Sequence, residues 1–421
     1  MRNMKSFEEV NKSTYNIFTV PLYESYCFSN IFGTIKDLFG VDANRKLPED
    51  TLEGLKTSPN KVVFFLVDAF GWCFYDRYRE QSKFLEEVEE NGVVSKLTSQ
   101  FPSTTTVHVT TALTGETVNE HGLYEWFYYE PVVEDIIVPF LFKEARKDGM
   151  QTLKNRNIDP RSFLPRESLF RKLSEHGVKT TVYQPKRINH GAFAEAMYNS
   201  AALKGYENYK ELFEGLSKDL VQNNEKEYFY VYIPELDTVA HEYGNSSKEF
   251  ERAVKKLFKH LDSFYDNGKS KFNDTLIMIS ADHGQIESDL SKKYYINEMI
   301  PDIDKYLVKN KNGDIMSPTG YTRDLILHVK EENLSFLKEL LKKELKELAE
   351  VYTFEELTKI GFFNNPSKRL KERCGNLIIL PRGNTNIWWY EKDVFEIILK
   401  GVHGGANKNE MEIPLLTYLF D

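Results

Sequence analysis

The stretch Lys61-Val62-Val63-Phe64-Phe65-Leu66-Val67-Asp68 decides how the rest of the chain is read. Its apolar run is rich in β-branched and aromatic residues and too short for a membrane span, which suits a strand buried on both faces of a parallel sheet. The aspartate that ends it is the informative residue, because a polar group placed directly after a buried strand is costly unless something satisfies it. The pattern recurs: a strand expected over 227–233 is followed by Asp237, and one over 275–281 by Asp282 and His283. Ligands of open α/β sheets gather beyond the carboxyl ends of the strands, so the three aspartates point to one site.

Working outward, residues 93–98 and 178–184 also read as strands. Segments 82–90, 168–175, 209–221 and 247–265 read as helices, with apolar residues recurring at three and four. The alternation implies an α/β fold with a largely parallel central sheet flanked by helices. At 421 residues the chain exceeds the usual size of a single compact core. No repeat or Pro/Gly-rich linker divides it, so the surplus is expected as insertions at 120–189 and 286–382. The second insertion holds a strand-like 323–329 and a helix over 333–350 with Leu334, Leu337, Leu341, Leu345 and Leu348 on one stripe, the makings of a small cap subdomain. Residues 1–60 carry Tyr15, Phe18, Tyr23, Tyr26 and Phe28 and are expected to pack on the body formed by 61–421, or to make a dimer contact.

Composition narrows the partners. A net charge of −9 argues against a general nucleic-acid or anionic-membrane surface, so any phosphate must be attracted locally. Cys27, Cys73 and Cys374 are too few and too scattered for a disulfide framework or a cysteine zinc site, which favours a reducing compartment. The first nine residues have no apolar export core, and no apolar run is long enough to cross a bilayer. The expectation is a cytoplasmic protein.

Asp68, Asp237, His241, Asp282, His283 and His403 supply hard oxygens and borderline nitrogens in equal number. That is a ligand set for two zinc-like ions with three protein ligands each and an open position for chemistry, and it points to a two-metal hydrolase. Asp237 and His241 are four apart and share a face if their segment is helical. His403 sits in Gly401-Val402-His403-Gly404-Gly405, where glycines let backbone come close. Singly, each has a plainer reading, a helix cap for Asp68 or a turn histidine for His403. The turn Phe101-Pro102-Ser103-Thr104-Thr105-Thr106 leads into a short helix expected over 107–113 and closed by Gly115. Its N-terminus would direct N–H groups at an anion. A hydroxyl there becomes a nucleophile once a base or cation lowers its pKa; the plain alternative is a capping cluster.

Together, Val67-Asp68-Ala69, Phe101-Pro102-Ser103-Thr104-Thr105, Glu235-Leu236-Asp237-Thr238-Val239-Ala240-His241-Glu242-Tyr243-Gly244, Ser280-Ala281-Asp282-His283-Gly284 and Val402-His403-Gly404-Gly405 resemble the type I phosphodiesterase/nucleotide pyrophosphatase family of the alkaline phosphatase superfamily. The blocks run in the family's order from about residue 61 to the C-terminus. The resemblance implies two divalent ions, zinc first and manganese as the alternative. Asp68, Asp282, His283 and the nucleophile hydroxyl would surround one ion, and Asp237, His241 and His403 would hold the other. The nucleophile maps to Thr105, with Thr104 as rival, and implies a phosphothreonine intermediate. Many relatives carry a phosphate-binding asparagine where this chain has His108, and Arg323 lies in a segment similar to one near the family's site; both are candidate substrate contacts.

The implied activity is hydrolysis of phosphodiester or nucleotide pyrophosphate bonds in a small phosphorylated substrate. Three carboxylates against two divalent ions leave about one positive charge to hold a phosphate. No arginine lies near Thr105 in the sequence, which favours diesters over monoesters. Phosphomonoester, phosphonate or sulfate ester hydrolysis, a metal-dependent mutase and a non-catalytic metal-bound scaffold stand as alternatives. Trp126-Phe127-Tyr128-Tyr129 reads either as a stacking wall for a base or as core packing.

Overall fold

Seven strands hydrogen-bond into one sheet, and their register brings the aspartates together. In the computed structural model, which describes residues 1–421, these are β1 (Lys61–Val67), β2 (Val93–Thr98), β3 (Lys179–Pro185), β4 (Ala202–Tyr206), β5 (Glu227–Ile233), β6 (Thr275–Ser280) and β7 (Glu412–Phe420). Their order is β2-β7-β6-β1-β5-β3-β4. Neighbours run parallel except β7, which is antiparallel to both β6 and β2. The expected α/β fold with a largely parallel central sheet is therefore present. β7 was not foreseen, and Pro414 explains why: a proline has no N–H for a ladder and argues against an interior strand.

Val67 pairs with Ile233 and Leu66 with Ser280, so β1, β5 and β6 end side by side and release Asp68, Pro234 and Ala281 along one line. Helices cover the sheet close to where their periodicity placed them, at Lys83–Asn91, Leu169–Glu175, Tyr209–Leu220 and Lys248–Gly268. Ser82 and Ser247 cap two of them by accepting from Leu85 N and Phe250 N, which satisfies otherwise orphaned helix-end donors.

The leading segment packs on this body. Val10, Phe18, Phe28 and Phe32 belong to the main core. Val94 N donates to Met1 O and Thr98 N to Tyr26 O, at 2.9 and 2.8 Å, so the segment covers the open edge of β2.

A second hydrophobic core runs from Ile296 to Ile397, past the boundary expected at 382. It joins the helix Leu334–Leu345 to an antiparallel sheet of Leu325–Leu327, Leu377–Pro381 and Ala349–Thr353. The helix expected through residue 350 stops at Leu345. Lys346 takes a left-handed φ of 40°, and Ala349–Thr353 is claimed by strand pairing, a case of tertiary contact overriding a local leucine pattern. No helix is long and apolar enough to cross a membrane.

Candidate metal centre and nucleophile

Asp68 follows β1 directly, and its N–H donates to Ile233 O at 3.0 Å. Ala69 then adopts a φ of 60°, unusual for a residue with a side chain. The turn aims its N–H at Asp282 Oδ1, 3.0 Å away, and the same oxygen accepts from His283 N at 2.9 Å. The turn closes because Gly71 lies against Gly284: a Cβ on Gly71 would stand 2.4 Å from Gly284 Cα. Tyr232 donates its hydroxyl to Asp68 Oδ2 at 2.5 Å. Asp68 Oδ1 and Asp282 Oδ2 are left buried without a hydrogen-bond partner. Those two oxygens lie 3.5 and 3.4 Å from His283 Nε2. Thr105 Oγ1 lies 3.2 Å from the same nitrogen.

The second cluster is built on the helix α1 (Glu235–Tyr243), where Asp237 and His241 share a face as their spacing of four requires. His241 Nε2 is 3.1 Å and His403 Nε2 3.7 Å from Asp237 Oδ1, which also accepts from Gln285 Nε2 at 2.6 Å. Gly401 lets the His403 segment rest on this helix, since a Cβ there would come 2.6 Å from Ala240 O. The rings of His283 and His403 stack at 3.7 Å between centroids, so the clusters share a wall.

Each histidine has its Nδ1 against a backbone carbonyl: His241 on Gly401 O at 2.7 Å, His283 on Gly284 O at 3.0 Å, His403 on Ser103 O at 3.1 Å. A carbonyl can only accept, so each Nδ1 carries a proton and each Nε2 faces inward; burial would lower the His241 pKa, but the charge of Asp237, 3.1 Å from its Nε2, raises it. The converging atoms are carboxylate oxygens and imidazole Nε2 atoms, the kinds that ligate metals. Burial, then the charges of Asp282 and Asp237, push the Asp68 carboxyl well above its ordinary range. Burial, then His283, pushes His403 well below its own. Burial would raise Asp237 too, but His241 beside it brings it below the usual carboxylate range.

Orphaned oxygens facing imidazole nitrogens are what a cation satisfies, and mixed nitrogen and oxygen donors suit a divalent ion such as zinc or manganese. Within each set, Asp68 with Asp282 and His283, and Asp237 with His241 and His403, the ligand atoms lie within 4.8 Å of one another. The first set is sealed, its side chains at most 2% exposed, whereas those of the second are 11 to 21% exposed. Access is therefore from the Asp237 side.

A cavity of about 260 Å³ opens there, lined by Asp68, Thr105, Asp237, Trp126, Phe140 and Phe193 among others. The helix expected to begin at residue 107 begins at Thr105 and ends at Thr114, with Gly115 left-handed at its C-terminus. Thr105 therefore stands in the first turn, facing the cavity. Thr104 precedes the helix in extended conformation and is buried.

Two expected substrate contacts are corrected. His108 is wholly buried; Nδ1 faces Thr104 O and Nε2 accepts from Gln100 N, both at 2.8 Å, and burial lowers its pKa to about 3. It braces the turn before Thr105 and has no nitrogen free for substrate. Arg323 is equally buried, paired with Glu410 at 2.9 Å and bonded to Thr385 O and Pro381 O. Glu410 in turn accepts from Gly405 N at 2.9 Å, so Arg323 supports the His403 loop from behind. Of the aromatic run, Trp126 alone lines the cavity; Phe127 packs on the cap core, and Tyr128 and Tyr129 are buried. Tyr232, Gln285 and Glu410 were not foreseen, because a phenol within a strand or a lone Gln or Glu carries no sequence signal until the fold aims it.

The fold has known counterparts. Human ectonucleotide pyrophosphatase/phosphodiesterase 5 is 15% identical over 85% of this chain and 87% of its own, with a TM-score of 0.64. An inactive form of the murine protein in complex with AMP is also 15% identical, over 84% of this chain and 87% of its own, at 0.63. Phosphonoacetate hydrolase from Sinorhizobium meliloti 1021, in complex with phosphonoacetate, is 14% identical over 85% of this chain and 89% of its own, at 0.60. At these identities the likeness establishes a shared fold. No curated protein matches the sequence. Residues 62–406 match the profile described as type I phosphodiesterase/nucleotide pyrophosphatase. The match spans every residue of the two clusters, and the chain belongs to the type I phosphodiesterase/nucleotide pyrophosphatase family.

Proposed function

We propose that the chain hydrolyses phosphodiester or nucleotide pyrophosphate bonds, with Thr105 as nucleophile and two divalent ions held by Asp68, Asp282 and His283 on one side and Asp237, His241 and His403 on the other. The carrying observation is the convergence of two three-residue ligand sets, with Asp68 Oδ1 and Asp282 Oδ2 buried and unpartnered, beside one cavity-facing hydroxyl. Family membership supports a hydrolase of phosphoester-type bonds. When bound, such ions would supply Lewis acidity, favouring the alkoxide form of a hydroxyl and offsetting phosphate charge.

The chain's own residues do the rest. Thr105 sits at the start of a ten-residue helix whose first N–H groups have no intrahelical partner and favour an anion. Its oxygen attacks phosphorus in line, forming the Oγ–P bond as the bond to the leaving oxygen breaks. Water then cleaves the phosphothreonine and restores the hydroxyl. The backbone carbonyls that hold each Nδ1 proton keep the three rings turned with Nε2 toward the site through both displacements. Trp126, Phe140 and Phe193 offer an apolar wall for the retained group, and the complex of the murine relative with AMP makes a nucleotide the first choice.

The test is a panel of nitrophenyl mono- and diesters with and without chelator. Diester turnover lost on chelation and in Thr105→Ala is expected; turnover that survives Thr105→Ala removes the proposed nucleophile. The fold shared with phosphonoacetate hydrolase supports a second reading, phosphonate hydrolysis. Phosphate release from phosphonoacetate, without diester turnover, would select it.

A further inference from the structure

Beside the site cavity lies another of about 350 Å³, and the two share Arg187, Pro234 and Thr238 on their common wall. Most charges around the second cavity are already answered. Lys186 pairs with Glu211 at 2.9 Å and Glu207 at 3.3 Å, and Glu235 with Lys256 at 2.9 Å. Arg187, in the turn Lys186–Ile188 at the carboxyl end of β3, is exposed and makes no ion pair or side-chain hydrogen bond within the protein.

We infer that Arg187 is a specificity-determining residue that receives an anionic group, phosphate or carboxylate, carried on the leaving side of the substrate. The inference rests on the function proposed above. Thr105 stands with the sealed cluster, 3.2 Å from His283 Nε2. In-line displacement sends the leaving group away from Thr105, toward the open cluster on α1. The second cavity is on that side, since Pro234, Glu235, Thr238 and Val239, from the end of β5 and the start of α1, line it. As the Oγ–P bond forms, the phosphorus–oxygen bond breaks with its electron pair on the leaving oxygen, and an anion farther along that group meets the guanidinium fork. In a chain of net charge −9, an unpaired cation at this junction is also what draws a doubly anionic substrate inward.

Three thymidine 5′-phosphate derivatives keep the retained group constant: the 4-nitrophenyl diester, uncharged on its leaving side; the 4-carboxyphenyl diester; and the triphosphate. In Arg187→Ala, kcat/KM for the charged substrates relative to the nitrophenyl diester is expected to fall about 10-fold, chiefly through KM, as loss of a charge-assisted hydrogen bond implies. Arg187→Lys should recover part of that ratio. An effect confined to the triphosphate identifies phosphate as the recognised anion, and an effect on both charged substrates identifies an anion of either kind. A ratio unchanged from wild type overturns the role of Arg187 while leaving the proposed function intact. Wild-type protein that turns over none of the three overturns both.

Discussion

Replacing Asp68 with asparagine should stabilise the metal-stripped protein while weakening its response to metal, the reverse of what a simple structural aspartate would do. Without metal, Asp68 either keeps a buried charge close to Asp282 or takes up a proton, as its raised pKa favours, and either state costs stability at neutral pH; its Oδ1 lies 3.5 Å from His283 Nε2. Asparagine keeps an oxygen for the Tyr232 hydroxyl and turns an N–H toward His283 at every pH, with neither a charge to bury nor a proton to take up. Relief of one unsatisfied buried group is worth about 1–3 kcal/mol. Unfolding entropy of about 2.1 cal/mol/K per residue makes that a Tm rise of about 1–3 °C for a chain of 421 residues. An ion present at a thousandfold excess over its Kd stabilises the native protein by about 4 kcal/mol, or about 5 °C. Calorimetric scans in chelator, then with added zinc or manganese, read both quantities for wild type and Asp68→Asn. A variant with a lower Tm in chelator and an undiminished metal response would refute the reasoning.

Thr105→Ala should lower diester turnover by about 1000-fold or more, while Thr104→Ala stays within about 10-fold of wild type; the reverse order in steady-state rates would move the nucleophile. Glu125, wholly buried and lying near Gly404 with Asp324, has its carboxyl pushed up to about 7 by burial. Its folded pKa exceeds the unfolded one, so its contribution to stability is complete at acid pH and lost as pH rises through about 7. Between pH 5 and pH 8, urea unfolding should show wild type losing about 1–3 kcal/mol more than Glu125→Gln; equal losses would contradict this. Gly71→Ala places a Cβ 2.4 Å from Gly284 Cα. Overpacking of about 1–3 kcal/mol and weakened metal binding should appear together in melting and in metal titration, because the same contact closes the Asp68 turn on Asp282.

The composition of the two clusters was legible in the chain itself. Asp68, Asp237 and Asp282 follow buried apolar runs, and neither a strand's carboxyl end nor an i,i+4 helical face depends on distant contacts. The strands around them and most flanking helices were legible for the same reason: local periodicity reports burial. Partition among neighbours was not. Strand order, the antiparallel β7 with its Pro414, and the end of the cap helix at Leu345 follow from pairing between segments far apart in sequence. His108 and Arg323 mislead by identity alone. Residue type allows each to bind phosphate, but the fold buries both and commits their nitrogens to Thr104, Gln100 and Glu410. Thr105 rather than Thr104 faces the cavity because the helix begins two residues earlier than its apolar residues suggest. Sequence sets which chemistry the chain carries, since ligand chemistry belongs to side chains. The direction in which each Nε2 points belongs to the carbonyls of Gly401, Gly284 and Ser103, which only the folded backbone brings to the three imidazoles.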